Sequence, residues 1–391
     1  MFLSKIHYTC PLFYGLHTDT IQYDALHIGK KKGPQRTGPN GRGIHVLLAY
    51  WGYTNKYSPS HVEQVARCGV GSASYDLAQA ELQAQGMTIS SKTVDHIVQE
   101  IGGRAQNIRS QVLIGSGETL SGKRVLISLD GGRVRSRELK IGRPRKEQKH
   151  VGFTTPWREP KLLVITEIDT MGKKKKGVKP LYEATMGGPE ELYQLLTSLC
   201  ERLKLAQAQE IVCIGDGSAW VWGIFDTLIK DLAISDKTTQ IADYYHAVEH
   251  VTIIAELHSG KNEAEKRQWV VSLSRLLREG KFDLMKQLVT TEAERLQLPE
   301  MLKAFSYFDN HRQWMRYDEY ERKKLPIGSG IVESAIKRVI NQRIKSPGSF
   351  WKLENVEKVL QLRCALMAGR WQVFMNNFFS ATSLPLASVG M

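Results

Sequence analysis

The chain has 391 residues, 42% apolar and 24% charged, the balance of a globular protein with a real core and room for two or three domains. No apolar run is long enough to span a bilayer, and the opening MFLSKIHYTCPLFYG lacks the form of a signal peptide, so a membrane protein and a secreted one are both excluded as expectations. The 54 Lys and Arg against 40 Asp and Glu leave a formal charge of +14, and 15 of those basic residues lie between Gly131 and Pro180 with only five acids, a block suited to a polyanion such as nucleic acid.

The chain begins irregular, with GKKKGPQRTGPNGRG over Gly29–Gly43, and then turns helical. Ser58-Pro59-Ser60 opens one helix. Residues 72–86 read as a second, with Leu77, Ala80 and Leu82 facing inward and Gly86 ending it. Residues 90–103 read as a third, capped by Ser90 or Ser91, with Val94, Ile97, Val98 and Ile101 on one face. Two short helices about a glycine turn have the layout of a helix-turn-helix, and equally of a plain helical hairpin. Strands are predicted at Arg124–Asp130, Pro160–Asp169, Pro180–Met186, Glu210–Asp216 and up to Asp243, with amphipathic helices from Pro189 and from Ala219 between the later ones. That order predicts an α/β fold in which the helix-connected strands are parallel and buried on both faces. Residues 247–320 are helical and charged, and the last part, from Gly328 to about Phe379, is helical again.

Three acids stand out by position. Asp130 ends the first strand before Gly131-Gly132, Asp216 ends the fourth between Gly215 and Gly217, and Glu333 lies in the first turn of a helix that follows Gly328-Ser329-Gly330. Singly, each has a structural explanation: a helix cap, a turn, a residue matched to the helix dipole. Together, at the carboxyl ends of neighbouring parallel strands, carboxylates repel unless a cation neutralises them. Oxygen-only ligands suit Mg²⁺ or Mn²⁺, and two such ions about 4 Å apart clamp a phosphodiester. In this reading Gly217 removes a β-carbon that would block an approaching DNA backbone. Arg133, Arg135 and Arg137 alternate along one face of a strand, placed either to grip phosphates or to face solvent. Lys337 shares a helix face with Glu333, and Arg343 and Lys345 extend the same basic helix. Trp220 and Trp222 read as core residues more readily than as platforms for a flipped base.

The words DGGRVRSRE at Asp130, WREPK at Trp157, GDGSAWVW at Gly215, DYYHAVEH at Asp243 and LPIGSGIVESAIKRVINQRIKSPGSFW from Leu325 cover roughly residues 125–370. Their order resembles the ribonuclease-H-like catalytic domain of DDE transposases, and within that group the Kra-type insertion-sequence transposases. The resemblance implies a mixed five-stranded sheet with flanking helices, and Asp130, Asp216 and Glu333 as catalytic, metal-binding triad. It also implies an all-α insertion before the last acid. Asp243-Tyr-Tyr-His246 is similar to the D-x-x-H element of Mutator-like relatives, which places Asp243 and His246 on the fifth strand beside the site. The alternative for His246 is a buried histidine bonded to a backbone carbonyl. Relatives often carry more N-terminal sequence with paired cysteines, and Cys10 has no cysteine near it, as in a shortened copy.

The expected organisation is an N-terminal DNA-binding region at 1–115, a catalytic domain at 120–246 and 323–391, and a helical insertion at 247–322. The expected activity is metal-dependent strand cleavage at transposon ends and transfer of the freed 3′-OH into target DNA, with two ions. The partners are DNA and a second copy or more of the chain, because two ends are cut together. The five cysteines, without a CxxC pair, exclude a disulfide framework and fit a cytoplasmic, nucleoid-associated protein. The rivals are a catalytically inactive domesticated DNA-binding protein and a structure-selective nuclease on the same fold.

Overall fold

The five apolar runs of the middle of the chain pair into one sheet in a computed structural model of the protein, which describes residues 2–14, 17–29, 57–140, 142, 152–258 and 260–382. The chain divides into two compact units. Met1–Gly115 and Gln342–Met391 form one, and Ser116–Asn341 the other.

The first unit opens with strands β1 (Phe2–Tyr14) and β2 (His17–Gly29), which pair antiparallel from Phe2↔Gly29 to Tyr14↔His17. The irregular start expected from the sequence is therefore a long hairpin. The Gly- and Lys-rich run beyond Gly29 lies outside the described residues. Helices α1 (Pro59–Gly71), α2 (Tyr75–Ala84) and α3 (Ser91–Gln106) follow. Their caps are Ser58, Ser74 and Ser90, whose hydroxyls accept from the backbone N–H of His61, Leu77 and Thr93. The inner face of α3 is the one its periodicity predicts. That of α2 is Ala78 and Leu82, while Leu77 is 58% exposed and Ala80 is also outward.

In the second unit a five-stranded sheet is built around the central strand β3 (Arg124–Gly131). β8 (Lys161–Glu167) and β9 (Leu181–Thr185) join antiparallel on one side. β10 (Glu210–Gly215) and β11 (Thr238–Ala242) join parallel on the other. Between β3 and β8 the chain makes a narrow ribbon in which β4 (Val134–Arg135) pairs with β7 (Trp157–Arg158), and β5 (Glu138–Leu139) with β6 (Phe153–Thr154). Helix α4 (Pro189–Arg202) carries the chain from the edge strand β9 across the sheet to β10, and α5 (Ala219–Asp231) joins the parallel neighbours β10 and β11, the crossover such neighbours require. With α4 packed on β8 and β9, every residue of those two strands is buried.

Helices α6 (Tyr244–Glu256), α7 (Glu263–Arg278), α8 (Phe282–Leu296), α9 (Pro299–His311) and α10 (Tyr317–Arg322) come next. They enclose their own apolar centre around Leu277, Met285, Val289, Phe305 and Phe308. Helix α11 (Gly330–Ile336) then packs on β3 and β8 and passes into a π-helical turn at Lys337–Asn341.

From Gln342 the chain belongs to the first unit, so the C-terminal stretch expected to stay with the sheet to its end divides there. Helices α12 (Leu353–Met367) and α13 (Trp371–Thr382) complete that unit. The cause is packing: a β-carbon on Gly102 of α3 would lie 2.6 Å from the Lys358 β-carbon of α12, so only glycine allows the two helices to approach so closely. Buried Gln361 and Arg363 of α12 donate to the carbonyls of Ala105 and Val70 at 3.2 and 2.6 Å. These bonds satisfy polar groups that would otherwise be stranded inside.

Candidate active site at the carboxyl edge of the sheet

Ser128 of β3 registers with Ile214 of β10, and its hydroxyl donates to the Ile214 carbonyl at 3.0 Å. Asp130 and Asp216 each lie two residues beyond that pair on parallel neighbours. They therefore stand level at the carboxyl edge, about one strand spacing (~4.8 Å) apart in backbone terms. Both line a cleft of about 310 Å³ together with Gly131, Gly132, Arg133, Trp157, Arg158, Glu159 and Trp220.

The electrostatics of Asp130 follow from this place. Burial raises its pKa to about 6. The bond it accepts from the Gly131 N–H at 2.6 Å works the other way, and the negative charges of Asp216 and Glu333 raise it further, with His246 opposing them. Glu333 and His246 are thus near enough for their fields to reach Asp130. Glu333 lies in the first turn of α11 and is exposed. Among the described residues, none of Asp130, Asp216 and Glu333 has a basic partner within ion-pair distance. Among those same residues, no group of three or more His, Cys, Asp and Glu side chains is placed to hold a metal ion.

The Asp216 turn is built twice over. Its carboxylate oxygens accept from the Ser218 N–H and hydroxyl, both at 2.9 Å, which closes a turn ahead of α5; the cap position of that helix is Ser218, so Asp216 is not its cap. Behind it, α9 of the helical segment reaches in: the Tyr307 hydroxyl donates to the Asp216 carbonyl at 3.2 Å, and His311 Nε2 lies 3.0 Å from the Gly217 carbonyl. Gly217 has φ +99, and a β-carbon there would meet Tyr307 at 3.1 Å and His311 at 3.3 Å. Its backbone conformation and the rings of α9 are therefore enough to require glycine at 217.

Asp243 is not on the fifth strand but one residue past it, as the cap of α6. It is 1% exposed, accepts from the Tyr245 N–H at 2.8 Å, and accepts from both the N–H (3.2 Å) and the hydroxyl of Ser329. It ties the start of the Glu333 helix to the end of β11. Gly328 fits the same joint, since a β-carbon there would press on the Tyr245 ring at 2.6 Å. His246 lies in the first turn of α6, not on a strand, and is neither buried nor bonded to a carbonyl: it faces Glu249 at 3.2 Å.

The predicted DNA-binding residues separate. Arg133, Arg135 and Arg137 are exposed along one face of the ribbon, and Lys337 and Lys345 are exposed. Arg343 is 3% exposed, with its guanidinium 4.7 Å from the Tyr75 ring centre and 4.8 Å from that of Trp351, and it donates to the Ala73 carbonyl at 3.0 Å. It is an internal strut of the first unit and cannot grip a phosphate. Trp222 is buried and stacked on Trp314, whereas Trp220 lines the cleft beneath the Lys161 ammonium at 4.3 Å. Sequence reasoning assigned no role to Glu159, Lys161, Tyr307 or His311. Lys161 is buried and pairs with Glu159 at 2.8 Å, a joint hidden in the WREPK word.

No protein-family model matches the chain, and no curated protein matches it. Among solved structures it is similar to a chain of the Drosophila P element transposase strand transfer complex, with TM-score 0.30 and 10% identity over 86% of this chain and 84% of that one. A superposition of that quality equates neither folds nor activities.

Proposed function

We propose that the cleft is the active site of a DDE-type transposase on a ribonuclease-H-like fold, cutting DNA at the ends of an insertion sequence and joining the freed 3′-OH to target DNA. The mixed five-stranded sheet is the one that reading calls for. The observation that carries it is the level pair Asp130 and Asp216 in one cleft, burdened by the charge of Glu333 and relieved by no basic partner among the described residues. Such a donor set suits a hard divalent cation.

Asp130 and Asp216 would hold Mg²⁺ or Mn²⁺, two ions in the full cage, with Glu333 drawn in to complete it, since the three acids are not gathered for a metal beforehand. When bound, the metal supplies Lewis-acid activation of the attacking and leaving oxygens. The chain's own residues do the rest. Ser218 and Tyr307 fix the Asp216 turn, Asp243 anchors the helix that bears Glu333, and Arg133, Arg135 and Lys337 meet the phosphates on either side. Both chemical steps displace at phosphorus, so one site serves both. Two ends cut together call for a homodimer or larger assembly on DNA.

The test is single replacement of Asp130, Asp216 and Glu333 by Ala, with cleavage measured on DNA taken from either side of the gene, where the proposal requires inverted repeats. Each variant is expected to lose cleavage and keep DNA binding, and to bind Mn²⁺ more weakly by calorimetry. Undiminished cleavage by all three would end the proposal.

A further inference from the structure

Exposed aromatic rings stand beside the cleft. On the ribbon, Trp157 is 51% exposed and Phe153 39%. Each has an arginine over it: Arg135 Cζ is 4.8 Å from the Trp157 ring centre, and Arg137 Cζ 4.4 Å from that of Phe153. Trp157 also lines the carboxylate cleft.

The ribbon is pre-formed. Ser136 N–H donates to the Pro156 carbonyl at 3.0 Å, its hydroxyl to Glu138 at 3.1 Å, and Arg158 Nε to the same carboxylate at 3.0 Å. Arg158 holds the Glu138 carboxyl below its usual range, and the ribbon's other described acid, Glu159, is paired with Lys161 at 2.8 Å. Among the described residues, Arg133, Arg135, Arg137 and Lys140 are exposed and complement a polyanion.

Arginines alone would suffice for a duplex, which offers phosphates and groove edges but keeps its base faces stacked inside. Half-exposed rings beside arginines gain most from a base whose face is free, because stacking needs only the π-face and the guanidinium takes the neighbouring phosphate. We propose that the ribbon is a platform for unpaired nucleotides, passing the bases of a single DNA strand across Phe153 and Trp157 toward Asp130 and Asp216. That the strand then reaches the reacting centre rests on the transposase reading; the stacking does not.

The experiment uses the full chain in EDTA, with a fluorescent oligothymidylate of about 16 nucleotides and a mixed-sequence duplex of the same length. Trp157→Ala is expected to weaken oligothymidylate binding about 10-fold, the loss of roughly one base–ring stack, and to leave duplex binding within about twofold. Trp157→Tyr keeps a ring and should restore most of the affinity, which a folding defect would not permit. Equal loss on both probes, no loss on the single strand, or failure of Tyr to rescue overturns the platform. Tighter binding of an oligouridylate overturns its assignment to DNA. Because cleavage is never measured, a failed triad test leaves this result standing, and the reverse holds.

Discussion

The Tyr307 hydroxyl donates to the Asp216 carbonyl at 3.2 Å, so a helix 91 residues further along the chain holds the turn that presents this acid. The helical segment is thereby part of the site's scaffold rather than an appendage. His311 reinforces the contact at the next carbonyl, and its other ring nitrogen lies 2.7 Å from the Tyr307 carbonyl.

Loosening this grip should cost activity before it costs the fold. Tyr307→Phe removes one hydrogen bond from a half-buried position, worth about 1 kcal/mol, so cleavage is expected to fall about fivefold with DNA affinity unchanged. Gly217→Ala is harsher, since it forces a β-carbon into the left-handed region and against two rings. Chemical denaturation should show a loss of about 1–3 kcal/mol.

The Asp243–Ser329 joint predicts a different pattern. Ser329→Ala deletes one of the bonds that set the start of the Glu333 helix, and turnover should drop about 10-fold at nearly constant DNA affinity. Ser329→Thr keeps the hydroxyl and should recover most of it. Equal turnover in the Ala variant and the parent would remove Asp243 from the working parts of the site.

Asp130 predicts how stability changes with pH. Folded, it holds its proton up to about pH 6, while in the unfolded chain its pKa is near 3.8. The folded state therefore binds more protons between those values. The associated stability is complete below about pH 4 and is lost as pH rises through about 6, by roughly 3 kcal/mol. Denaturation of the metal-free protein from pH 4 to 8 should show this decline, and Asp130→Asn should flatten it. Mg²⁺ should restore stability at the alkaline end, by mass action on the ionised form.

Much of this site is legible in the linear chain because local chemistry specifies it. Apolar runs that stop on Asp130 and Asp216 beside glycines report strand ends, and two antiparallel steps from β3 through β8 to β9 followed by the α4 crossover leave β10 running parallel to β3, the pairing that brings the two acids level. What escaped is what depends on distant partners. Nothing near Gly217 in sequence names Tyr307 or His311, and nothing near Asp243 names Ser329. The hairpin Phe2–Gly29 escaped because Pro11 sits inside a run without clean alternation.

Arg343 is the sharpest case, and it separates from Lys337 in a way that can be measured. Six residues apart, both read as one basic helix, but the chain changes unit at Gln342. Lys337 stays beside the Glu333 helix, exposed. Arg343 enters the first unit between Tyr75 and Trp351, where burial lowers its pKa. Arg343→Ala should leave two rings without their partner and the Ala73 carbonyl without its donor, a loss of about 2–4 kcal/mol seen as a lower unfolding midpoint. Lys337→Ala should change stability by less than about 0.5 kcal/mol. In duplex binding titrated against salt, it should reduce the slope of log K on log salt by about 1. If Arg343→Ala instead proved as stable as the parent while losing DNA affinity, the sandwich would not be the state of the protein in solution.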